Sequence, residues 1–109
     1  MKIPMSVAAA GLLRSLLARA GANHDRILLI ESQSTEWQSL TFIGERHLMS
    51  FRVLGPDADE IIANMTFGLG DAEFSIPGQI VADVGLAGAP RQEEDGSIAL
   101  ALEALTIVE

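Results

Sequence analysis

Two stretches of this chain, residues 27–30 and Ile98–Val108, are apolar at successive positions, the second interrupted by Glu103 and Thr106 alone. In a β-strand consecutive side chains point to opposite faces, so an unbroken apolar run is hydrophobic both above and below the sheet. Such strands need cover on both sides. Any fold open to this chain has to supply that cover or leave a hydrophobic face bare.

The chain has 109 residues, enough for one domain with a core of its own. A single α+β domain over residues 1–109 is therefore expected. Cysteine is absent, which removes disulfides, thiolate metal sites and cysteine nucleophiles, and agrees with a reducing, cytoplasmic setting. Seven Lys and Arg against fifteen Asp and Glu give a formal net charge of −8, a field that repels phosphate backbones and anionic membranes. Neither nucleic acid nor a membrane is expected as a partner.

The first twenty residues resemble a leader only superficially. Lys2 precedes an apolar stretch and Ala18-Arg19-Ala20 mimics a cleavage site, but Arg14 interrupts the apolar region, which is also too short to span a bilayer. The spacing instead predicts an amphipathic helix over about residues 6–20. Ser6 can cap its first turn, while Met5, Ala9, Leu12, Leu13, Leu16, Leu17 and Ala20 share one face. Arg14 and Arg19 lie off that stripe, toward the end where positive charge suits the helix dipole, and Gly21 supplies a stop. Two arginines without Trp or Phe make a poor membrane anchor, so this helix is expected to pack on a sheet.

From Arg26 the period changes to two. Residues 26–33 read as a first strand, 32–36 as a polar turn, 38–43 as a second strand, and Gly44-Glu45 as a type II′ hairpin turn into a third strand over 46–54. In that third strand His47, Met49, Phe51 and Val53 share the core face. Gly55-Pro56-Asp57 breaks the sheet, and Asp57, Asp59 and Glu60 start a second helix carrying Ile61, Ile62, Met65 and Leu69. Residues 72–76 suggest a short strand, and Pro77-Gly78 a bend. Residues 79–87 form a strand with Ile80, Ala82, Val84 and Leu86 on its apolar face. Residues 88–96 read as a solvated loop. Residues 97–109 are rich in Ala and Leu, as a helix would be, yet Thr106-Ile107-Val108 is β-branched. A strand paired with 79–87 is favoured.

The expected order is thus α-β-β-β-α-β-β, a mainly antiparallel sheet with two helices. Two helices are expected to cover one side of a sheet this small; the alternative is that the amino-terminal helix crosses to the other side and completes the monomer. The other side would carry Leu28 and Ile30 or their alternates, with Leu48, Val81, Leu105 and Ile107, beside Arg52, Asp83 and Glu103. Such a face favours self-association as a homodimer, or docking with a protein partner, and an Arg52, Asp83, Glu103 cluster could fix its register. Asp83 is expected to pair with Arg46 or Arg52.

Catalytic signatures are sparse. Glu45 and His47 share a strand face, the beginning of an acid-base pair, but no nucleophile completes it and no Gly-x-Ser-x-Gly elbow is present. His24-Asp25 lacks a second histidine at helical spacing, and the acids at 57–60 and 71–73 miss the calcium-loop pattern, so no metal is expected. Gly68-Leu69-Gly70 lacks the third glycine of a dinucleotide fingerprint, and no cofactor is expected. Trp37, with Phe42 and Phe51, could floor a small apolar pocket. Two readings follow: a non-enzymatic interaction or scaffold module working through its sheet, or a small-ligand binder or minor enzyme around His47, Glu45 and Trp37.

Overall fold

Ser39, not Gly44, marks the first reversal of the chain. The computed structural model describes residues 4–21 and 24–109, with the backbone alone for His24; Lys2 and Ile3, on which the leader reading rests, lie outside them. The first expected strand and the expected turn over 32–36 form one long strand, β1 (Ile27–Gln38), while the second expected strand, 38–43, is largely the reversal itself, residues 39–42, leading into β2 (Ile43–Val53). The Ser39 amide donates to the Phe42 carbonyl at 2.9 Å and the Phe42 amide to Ser39 Oγ at 3.1 Å, which closes the reversal. Gly44 serves another purpose. A Cβ there would stand 1.9 Å from the Thr106 carbonyl oxygen, so glycine lets β2 approach its neighbour closely. A polar run with no Gly or Pro, residues 31–36, continues as strand because its amides pair along β2.

The helix α1 (Val7–Ala20) begins where expected, with Ser6 Oγ accepting from the Ala9 amide at 3.1 Å, and ends at left-handed Gly21. After β2 come α2 (Ala58–Thr66), β3 (Gln79–Leu86), the two-residue β4 (Arg91–Gln92) and β5 (Ile98–Val108). The order is α-β-β-α-β-β-β, an α+β domain close to the one expected. Residues 72–76 contribute only a bridge from Ile76 to Gln79, and the expected loop over 88–96 includes β4. The turn into β5 is held by Asp95, whose carboxylate accepts from the Ser97 amide at 2.9 Å and hydroxyl at 2.5 Å. Those bonds hold its pKa below the usual carboxylate value.

All strand pairs are antiparallel, in the order β1-β2-β5-β3, with β4 also on β5. The final strand is therefore central: it pairs with β3, as expected, and with the whole length of β2. Both helices lie on one side. Leu12 and Leu16 of α1 and Ile61 and Met65 of α2 share a buried cluster with Met49, Phe51, Leu100 and Leu102 of the sheet. Each large side chain enclosed there contributes roughly 1.5–3 kcal/mol. Two polar clamps fix the helices. Arg19 donates to the carbonyls of Met65 (3.1 Å) and Phe67 at the end of α2, and Arg26 pairs with Asp57 at its start. No helix among the described residues is long and apolar enough to cross a membrane.

Two bulges decide which residues face outward. One lies in β1 between Leu29 and Glu31, the other in β3 between Val81 and Asp83. Past the second, Val81 and Val84 both turn toward the helices, while Ile80 and Asp83 share the opposite face. The simple alternation expected for β3, with Ile80 and Val84 together and Val81 outward, is corrected by that one extra residue.

Candidate functional site

Directly paired residues in an antiparallel sheet share a face, so the register maps the side away from the helices. At one end Leu28, Arg52, Ala99 and Arg91 lie in a row across the four strand positions. Below them come Glu31, Ser50 and Ala101, then Gln33, Leu48, Glu103 and Gly85. The next row is Thr35, Arg46, Leu105 and Asp83, and the last is Trp37, Gly44, Ile107 and Ile80. No described helix covers this face. Leu28 (42% exposed), Ile30 (55%), Leu48 (38%) and Ile80 (49%) are open on it, and Trp37, Leu105 and Ile107 are half-buried.

The relief of the face is uneven. A hollow of about 300 Å³ lies over Ala99, Ala101 and Ser50, with Ile30, Arg52 and Arg91 at its rim. A second, of about 230 Å³, lies among Gln33, Arg46, Leu48, Asp83 and Glu103. Arg52 does not join Asp83 or Glu103. It stands 3.7 Å from Glu93, which also holds Arg91 at 3.1 Å, because its row places it on β5 beside Ala99, four residues from Glu103. Arg46 shares a row with Asp83 across Leu105, yet no ion pair joins them among the described residues. Three arginines and four carboxylates (Glu31, Asp83, Glu93, Glu103) leave the face with one net negative charge, in a chain of −8.

His47 and Glu45 lie on the other face, toward the helices. His47 is 2% exposed, with Nδ1 2.8 Å from Ser34 Oγ of β1 and Nε2 2.8 Å from Thr106 Oγ1 of β5. Burial lowers the imidazole pKa below its usual value, and nearby Glu45 pulls weakly the other way. The ring is neutral near pH 7 and satisfied by hydroxyls on the two flanking strands. With Thr106 fully enclosed, the arrangement joins three strands through the ring. Ser34 and Thr106 escaped the sequence reading because cross-strand neighbours are set by register, and residues 32–36 looked like a turn.

Trp37 faces away from His47, so the residues of the ligand-binding reading are divided by the sheet. Trp37 and Glu45 do meet around the sheet's end, where a hollow of about 360 Å³ is lined by Glu36, Ile43, Gln79 and Val108 as well. Phe42 is exposed beside it and Phe51 is buried in the core. Among the described residues no three His, Asp or Glu side chains are grouped to hold a metal ion. No family model and no curated protein matches the chain.

Proposed function

We propose that this protein is a non-enzymatic, self-associating module of the cytoplasm, whose uncovered sheet face packs on the same face of a second copy. The observation that carries this reading is the placement of both helices on one side, which leaves Leu28, Leu48, Ile80, Leu105 and Ile107 without a covering layer. Four strands at about 4.8 Å spacing and about 30 Å of strand length make a face of roughly 600 Å² per copy. Two copies bury roughly 1,200 Å², the lower bound of a stable interface. If half of that area is apolar, the gross gain is on the order of 10 kcal/mol, opposed by an association cost of similar size.

Charge favours a second copy as the occupant. Most of the chain's negative charge lies off this face, so two such faces meet without the repulsion that other pairs of surfaces would suffer. Twofold self-pairing is also the commonest assembly of soluble chains. Sedimentation or light scattering over a hundredfold concentration range tests the reading. A dimer is expected, and Leu48→Asp, which puts a charge at the centre of the face, should dissociate it while leaving the helical signal intact. A parent chain that stays monomeric throughout overturns it.

A further inference from the structure

We infer that the twofold axis of this dimer crosses the strands at Glu103 and seats Leu105 of each copy over Ala101 of the other. The inference rests on the self-association proposed above. Along β5 the outward residues are Ala99, Ala101, Glu103, Leu105 and Ile107, small on one side of Glu103 and large on the other. In keeping with that series, the 300 Å³ hollow lies over the small half. An axis across the strands reverses one copy end for end, so the large half of each β5 meets the hollow of its partner.

The alternative twofold axis, running along the strands between β2 and β5, is disfavoured by the same register. It would exchange the two central strands and oppose Leu105 with Arg46, and Leu48 with Glu103, each twice. Both pairs bury a charge against an apolar side chain. The crossing axis instead opposes Leu48 with itself and Arg46 with Ser50, whose neighbour on β1 is Glu31, a carboxylate within reach of a guanidinium. Its adverse contacts are Glu103, which faces its own copy at the axis, and, in the outermost rows, Arg91 opposite Ile80. Because packed sheets cross at about 30°, the opposition holds best near the axis, at Leu105 and Ala101, two residues from Glu103.

A size swap and a cross-link test this arrangement. Leu105→Ala leaves the hollow unfilled and Ala101→Leu fills it in advance, so each should weaken dimerisation at least tenfold by sedimentation. The double variant exchanges knob and hollow and should return to within about threefold of the parent. Glu103→Gln removes the like-charge contact and should tighten the dimer severalfold. Since the chain has no cysteine, Glu103→Cys provides a single thiol that a short bismaleimide should join across the axis, whereas Arg91→Cys should not cross-link. A dimer in which the double variant is as weak as the two defects combined, or in which position 91 cross-links and 103 does not, overturns the axis and leaves self-association standing. A monomeric parent removes both.

Discussion

The two faces of the sheet are built from the same strands and meet opposite fates. Met49, Phe51, Val53, Leu100 and Leu102 are all 3% exposed or less beneath the helices, while their neighbours Leu48, Ser50, Arg52, Ala99 and Ala101 lie on the uncovered side. One residue of offset separates core from surface. The covered face carries the stability of the monomer, and its side chains are consequently hard to change. The uncovered face mixes apolar residues with arginines and acids, so it is free to be shaped by what it contacts.

The largest test of that contrast is a pair of truncations. Phe51→Ala empties a site enclosed by both helices and should cost about 3–5 kcal/mol in urea denaturation of the monomer. Leu48→Ala, three residues away on the open face, should cost under about 1 kcal/mol under the same conditions. Equal losses would erase the distinction between the faces. A smaller effect sharpens the boundary between β2 and β5: Gly44→Ala drives a methyl group into the Thr106 carbonyl and should cost about 1–3 kcal/mol. Amide exchange at residues 104–107 should accelerate with it, and unchanged protection there would remove the close-approach argument.

The smallest expected effect concerns the polar centre of the covered face. Because burial lowers the folded-state pKa of His47, the unfolded chain takes up a proton more readily than the folded one as acidity increases. Its contribution to stability is complete above about pH 6.5, declines as pH falls below that value, and levels off below the folded-state pKa. Thermal melts from pH 7.5 to 5 should therefore show a decline that His47→Gln reduces. Identical slopes for parent and variant would mean that the imidazole is freely hydrated.

Much of the covered face is legible in the residues. Ser6, the apolar stripe of α1, Gly21, and the run His47, Met49, Phe51 and Val53 each state a local preference that the tertiary structure honours. The errors fall where a preference was local but the deciding partner was remote. Gly44 looks like a hairpin glycine because turns favour glycine, yet it answers to the Thr106 backbone, far away in sequence. Residues 32–36 look like a turn because they are polar, yet an edge strand with little to bury can be polar.

For the candidate site, alternation alone assigns Leu48, Leu105 and Ile107 outward, as the structure has them; it leaves the face of Leu28 open, and Ile80 and Val81 are exchanged by a bulge that no periodicity announces. Arg52 was grouped with Asp83 and Glu103 by charge, whereas its strand register delivers it to Glu93.

The amino-acid sequence by itself determined the α+β class, the surplus of apolar strand surface and the residues that the helices cover, because these follow from short-range propensity and burial pattern. Only the tertiary structure decided that the last strand is central, that His47 is held between Ser34 and Thr106, and that both helices share one side of the sheet. Those outcomes depend on pairing between residues distant along the chain, where a single inserted residue reverses the direction of every side chain beyond it.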